Sequence, residues 1–203
     1  MLRIDLHLHS EFSPDSRTPL DQLVEACARV GLDQVALTDH NTAAGALELA
    51  LLAPDLAIVG EEVRTDQGEI IGLFMSSSLP ARITAVEACD LIHGMGGLTY
   101  AAHPFDRRRA HFDQVSLDRL GDRLDIVEVY NPWSGPEANL MAEEYCRARD
   151  KIAATGSDAH SVEELGLSWM EIDDYGDSAD FLLKLRSARH VVTPLSGRAP
   201  RTR

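Results

Sequence analysis

The sequence predicts an α/β barrel of mostly parallel strands, with its working face at the carboxyl ends of those strands. Three observations carry this. Short apolar strands alternate with helical patterns along most of the chain, as in parallel sheets wrapped by helices. At least six such units share 203 residues, which fits one compact barrel better than two domains. And strand after strand ends in His, Asp or Glu.

Composition sets the outer bounds. The chain is 44% hydrophobic and 26% charged, ordinary for a globular protein. A net charge of -14 and an isoelectric point near 4.9 disfavour a nonspecific grip on duplex DNA or on an anionic membrane. Part of the acidic excess fits carboxylates gathered around cations, the rest a solvated surface. Cys27, Cys89 and Cys146 are far apart and form no CxxC, which suits free thiols in a reducing compartment. With no leader-like start and no apolar run near the ~20 residues that span a bilayer, the expected location is cytoplasmic. Residues 1–196 read as one domain and 197–203 as a frayed basic tail. Oligomeric state is left open.

The elements follow in order. Ile4 to Ser10 alternates Ile4, Leu6 and Leu8 with Asp5, His7 and His9, the period of a strand. After a polar loop, Thr18 reads as an N-cap and Pro19 as N1 of a helix stopped by Gly31. Gln34 to His40 is a strand, 43–53 a helix ended by Pro54, and Leu56 to Val63 a third strand. Thr65 to Gly68 turns the chain, and 69–75 returns as the second arm of a hairpin. Helices are expected over 83–94, 115–124, 137–150 and 179–188. Strands are expected over 98–102, 125–131, 152–155, 168–172 and 190–195, with a charged loop over 107–113.

The strand ends offer His7 and His9, then Asp39 and His40, Glu61 and Glu62, His103, Glu128 and Asn131, and finally Asp158 and His160. Neighbours on one face of a strand lie roughly 6–7 Å apart, so His7 and His9 can lean onto one cation. By itself a His-x-His is more often two exposed histidines near a terminus. In a parallel barrel the strand ends share one face, so these scattered residues converge there. His93, on a helix, His111, in a loop, and His190, opening a late strand, are set aside.

His7-x-His9-Ser10, the turn Ser13-Pro-Asp15-Ser, Thr38-Asp39-His40, Gly60-x-Glu62, Ala102-His103-Pro104 and Gly156-Ser-Asp158-Ala-His160 together resemble the PHP family, named for polymerase and histidinol phosphatase. The resemblance implies a distorted (β/α)7 barrel with two or three divalent metals (Mn, Fe or Zn) at its mouth, and phosphoester hydrolysis. It implies His7, His9, Asp15, His40, Glu62, His103, Asp158 and His160 as ligands, Glu62 bridging two ions. Asp15 stands where some relatives carry His, which favours manganese or iron over zinc. Several relatives supply a further His near Ile126–Asn131. This chain has none there, so either Glu128 is the ligand or a third metal is weakly held.

The chemistry follows from charge. Clustered cations neutralise phosphate oxygens, stabilise the alkoxide and make hydroxide from bridging water, so in-line attack by that hydroxide is expected. Asp39 is expected to stand behind the ligands or to carry a proton, so that Asp39 or a metal-bound water protonates the leaving oxygen, with a purely structural role as the alternative. Arg107, Arg108 and Arg109 follow His103-Pro104, and at least one is expected to clamp phosphate, together with Asn131. Trp133 either stacks on a base or packs against a helix. The expected activity is hydrolysis of a small phosphorylated substrate, a phosphomonoester such as a nucleotide. The alternatives are an exonuclease or phosphodiesterase on short nucleic acid, a non-phosphate hydrolase, and a silent metal-binding regulatory module.

Overall fold

Both faces of the first strand are buried. Ile4 and Leu6 enter an apolar core, and Asp5, His7 and His9 on the alternate positions are equally inaccessible. This β1 (Leu2–Leu8) sits inside a nine-stranded sheet in the computed structural model, which describes residues 1–193. The expected tail, Gly197–Arg203, and the end of the last predicted strand lie outside the described residues.

The chain continues through α1 (Leu20–Val30), β2 (Gln34–Leu37), α2 (Ala44–Leu52), β3 (Ala57–Arg64), β4 (Glu69–Leu73), α3 (Ala85–Gly94) and β5 (Leu98–Ala101). There follow α4 (Gln114–Leu120), β6 (Ile126–Tyr130), α5 (Pro136–Ala148), β7 (Ile152–Thr155), β8 (Ser168–Ile172), α6 (Ser178–Leu185) and β9 (Arg189–Val192). Pro19, not Thr18, occupies the cap position of α1, and no side chain caps that end. Gly31 closes the helix in the left-handed conformation, φ 77°, with its N–H on the Cys27 carbonyl. Helix α3 has a reciprocal cap: Thr84 accepts from the Glu87 N–H while Glu87 reaches back to Thr84.

The sheet runs β7-β6-β5-β4-β3-β2-β1-β8-β9. Its pairings are mixed, which corrects the expectation of mostly parallel strands. Strands β1, β2 and β3 are parallel, as are β5, β6 and β7. Strand β4 is antiparallel to both neighbours, because the Thr65–Gly68 turn reverses the chain. Strands β8 and β9 add an antiparallel extension beside β1.

The barrel nearly closes through the segment after β7. The Asp158 N–H donates to the His7 carbonyl at 2.7 Å, and the His9 N–H to the Ala159 carbonyl at 2.9 Å. A Cβ on Gly156 would stand 2.4 Å from the Cβ of His7, so only glycine lets this segment lie so close. Period 2 does the rest: Ile58 and Ile126 lie in the core, and Glu62 and Glu128, an even number of positions on, enter the site.

Candidate metal centre

Four ligand atoms meet just inside the barrel mouth. His7 Nε2 lies 3.5 Å from Glu62 Oε2 and 3.6 Å from Asp158 Oδ1. His9 Nε2 lies 3.3 Å from each of the same two oxygens. A tetrahedral shell with bonds of about 2.0–2.2 Å has edges of about 3.3–3.6 Å. His7 Nε2, His9 Nε2 and Glu62 Oε2 are buried without a hydrogen-bond partner. Buried polar atoms are rarely left so, and two imidazoles with two carboxylates are a donor set for a divalent ion. The residues therefore fit a metal.

A second group opens outward from the first. Asp15, 36% exposed at its side chain, has Oδ2 3.5 Å from His40 Nε2 and Oδ1 3.4 Å from His160 Nε2. His9, His40 and His160 also lie within ligand-sharing distance of one another. Glu62 stands between the groups: Oε2 faces His7, His9 and His40, and Oε1 lies 2.9 Å from His103 Nε2. That placement suits a bridging carboxylate. His103 and Asp158 both hold positive φ, 29° and 49°, a strained backbone for residues with side chains.

A layer behind the ligands sets their tautomers. His7 Nδ1 lies 3.0 Å from Glu128 Oε1, so its proton sits there and Nε2 keeps a lone pair for the centre. Ser13 gives its hydroxyl hydrogen to Asp39 at 2.8 Å and so accepts from His9 Nδ1 at 3.0 Å. His160 Nδ1 donates to the Asp158 carbonyl at 2.9 Å. Three histidines are thus turned to present Nε2. Hydrogen placement here follows from the network.

Charge in the cluster is unevenly shared. Burial opposes a proton on His7, yet Glu128, Asp158 and Glu62 hold its pKa well above the usual imidazole value. Burial and the neighbouring rings of His160 and His40 push His9 well below it. Burial would raise Glu62, but His7 and His40 hold its carboxyl well below the ordinary range. A divalent ion would replace these protons as the local positive charge.

Several expected roles change. Glu128 is not among the converging ligand atoms. Its two oxygens also take the Tyr100 hydroxyl at 3.2 Å, the His103 N–H at 2.7 Å and the Asn131 amide at 3.1 Å, which makes it an orienting group. Asn131, expected on substrate, is fully buried. Its amide binds Glu128 and Asp158, and its oxygen takes the Trp133 N–H. Trp133 packs inside, its ring N–H on the Ser157 carbonyl at 3.1 Å. Asp39, expected behind the ligands or as a proton carrier, is inaccessible and accepts from Ser10 N–H, Ser10 hydroxyl and Ser13 hydroxyl. Burial raises its pKa, and Ser13 links it to His9, the position behind the ligands that the sequence also offered.

The arginines separate as well. A cavity of about 420 Å³ lies over the cluster, bordered by Asp15, His40, Arg64, Glu69, Arg108 and Arg109. The Arg109 side chain is 2% exposed and donates from Nη1 to Asp158, while Nε lies 3.7 Å from Asp106 Oδ2 and neither Nε nor Nη2 makes a hydrogen bond. Arg108 is held by Asp106 through two bonds of 2.8 Å. Arg107 borders smaller cavities beside Phe105 and Met141 instead. Glu69 was missed by sequence reasoning. It opens β4, 3.5 Å from His103 Nε2. Its signal was the reversed hairpin arm, whose first residue reaches the face where parallel strands end.

Comparison with known proteins agrees with this geometry. The PHP domain profile matches residues 5–85, and a PHP-associated profile matches residues 136–189. The uncharacterized protein MJ0417 of Methanocaldococcus jannaschii is 35% identical over 178 residues, covering 85% of this chain and 71% of that protein. A candidate metal-dependent phosphoesterase from Bifidobacterium adolescentis shares the fold with a TM-score of 0.66 at 17% identity, covering 96% of this chain and 98% of the other. Endonuclease Q, seen with a 27-mer duplex carrying an abasic lesion at its active site, has a TM-score of 0.69 at 18% identity. The match covers 98% of this chain and 58% of that one. With the relative's identity and span, the two profile matches and the convergent histidines and carboxylates, the chain belongs to the PHP family of metal-dependent hydrolases.

Proposed function

We propose that this chain is a metal-dependent phosphoesterase that hydrolyses a small phosphorylated substrate, with a phosphomonoester such as a nucleotide as the leading case. The observation that carries the reading is the buried set of His7 Nε2, His9 Nε2, Glu62 Oε2 and Asp158 Oδ1 beneath a cavity edged by a partly unpartnered arginine. In this reading His7, His9, Glu62 and Asp158 hold one divalent ion, and Asp15, His40 and His160 hold another. His103 supports a further position beside Glu62. Manganese or iron suits the carboxylate share of these donors better than zinc does. Bound metal supplies Lewis-acid neutralisation of phosphoryl oxygens and activation of water near neutral pH.

The chain's own residues position the substrate. Arg109 offers Nη2 to a phosphate oxygen, with Asp158 holding Nη1 and Asp106 lying 3.7 Å from Nε. The cavity, about 420 Å³, suits a nucleotide-sized ligand. Both profile matches fall on one continuous sheet, which supports reading residues 1–196 as one working unit.

A second reading, cleavage of phosphodiesters in short nucleic acid, draws on two more cavities, of about 210 and 230 Å³, beyond Arg108. Phe105, Arg107 and Met141 edge both and offer an apolar and cationic path for a longer ligand. Duplex DNA, disfavoured by net charge, returns to the panel because endonuclease Q shares the fold.

The test is hydrolysis by manganese-loaded protein, with and without chelator, read as inorganic phosphate from monoesters and nucleotides and as chromatographically resolved cleavage products from dinucleotides and short single- and double-stranded DNA. Chelator-sensitive release from monoesters is the expected result. Cleavage of dinucleotides or DNA alone would favour the second reading. Silence across the panel with metal bound would overturn both.

A further inference from the structure

Glu69 stands in none of the roles assigned so far. It begins β4, is 9% exposed, and edges the cavity over the metal cluster. Antiparallel pairing brings it there. With Ile70 opposite Ala101, Glu69 falls beside Ala102, whose N–H donates to its carbonyl at 3.1 Å. His103 is the next residue, and its Nε2 lies 3.5 Å from Glu69 Oε2 and 2.9 Å from Glu62 Oε1. His40, Glu62 and Glu69 also bring one ligand atom each within 4.8 Å of one another.

The charge balance points the same way. Glu62, Glu128 and Asp158 lie buried around the guanidinium of Arg109, and Glu69, 9% exposed, stands beside Glu62 across His103. Carboxylates at low solvent access need compensating charge. A carboxylate added beside Glu62 raises the cost further unless a cation lies between the two.

We propose that Glu69 is a metal ligand, and that with His103 Nε2 and the outer oxygen of Glu62 it forms a divalent-cation site separate from the buried tetrad. The inference rests on the metal-dependent reading above. Two carboxylate oxygens and one imidazole are a mostly hard donor set, which selects manganese or iron(II) over zinc. A shell with bonds of about 2.1 Å and right angles has edges of about 3 Å, close to the His103–Glu62 separation. The other side of the site faces the cavity, so waters or substrate oxygens can complete the shell.

The experiment counts metal. Protein stripped with chelator is reloaded with manganese and desalted, and the ion is measured by elemental analysis and by titration calorimetry. The unaltered protein should retain at least two equivalents. Glu69→Gln should lose about one, His103→Gln the same one, and the double variant no more than either. Two manganese ions sharing the Glu62 bridge give an exchange-coupled paramagnetic resonance spectrum, which should collapse to isolated-ion signals in Glu69→Gln. Far-ultraviolet circular dichroism checks the fold, and Glu69→Asp, which keeps the charge, should recover part of the lost binding. Equal manganese content and affinity in folded Glu69→Gln and the unaltered protein would overturn the role of Glu69 alone. Absence of any retained metal in the unaltered protein would overturn the metal-dependent reading itself.

Discussion

Arg109 is anchored at one end and available at the other. Nη1 is committed to Asp158, whereas Nε and Nη2 are buried without a hydrogen bond beside the cavity, Nε lying 3.7 Å from Asp106 Oδ2. Hydrogen bonds to charged groups are worth about 1.5–3 kcal/mol, or roughly 10- to 150-fold in binding. Arg109→Lys keeps the charge but removes the planar fork. Steady-state kinetics should show KM for the best monoester raised at least about tenfold, against less than about twofold for Arg107→Ala. An unchanged KM in Arg109→Lys would remove the clamp. Three consecutive arginines look alike in a sequence. What separates them is tertiary: Asp106 captures Arg108, and Arg107 turns toward Phe105 and Met141. The same holds for Asp39 and Asn131, whose position at strand ends was legible while their burial behind the ligands was not.

At the level of elements, parallel strands advertise their carboxyl ends, and so the convergence of His7, His9, His40, Glu62, His103, Asp158 and His160 was readable from position, while setting them apart from Asp39, Glu61 and Asn131 took the family resemblance. Glu69 was not, because β4 runs the other way and contributes its first residue. Glu128 sits at a strand end like the ligands, yet faces the rear of His7; one turn of side-chain direction separates a ligand from an orienting group. The loop after β7 shows how narrow the tolerance is. Gly156→Ala would place a methyl 2.4 Å from the Cβ of His7, and neither backbone can yield without moving a ligand. Overpacking of this kind costs about 1–3 kcal/mol. Chemical denaturation should show that loss, with weaker manganese retention alongside it, and an unchanged midpoint would show that the segment shifts freely.

Across the whole molecule, the barrel was legible from strand-helix alternation, and the reversed hairpin arm was legible from its turn. The antiparallel attachment of β8 and β9 was not, since pairing partners far apart in sequence leave no local trace. Metal should act at this scale too. An ion bound only by the native state stabilises by mass action, about 2.7 kcal/mol at a hundredfold excess over Kd. For a domain of this size that raises Tm by about 5–11 °C. Thermal melts with manganese and with chelator should differ by that much, and coincident melts would mean that the native state has no preference for the ion. The near-closure of the barrel also has a bearing on how the protein is made. Ser157 and His7 meet across 150 positions of chain. At about 5–20 residues per second, the ribosome delivers Asp158, the last of the four, on the order of ten seconds or more after His7. Until then His7 and His9 have no Asp158 to share an ion with. The four side chains come together only after the chain has passed Asp158, so any ion they hold arrives late in the protein's birth.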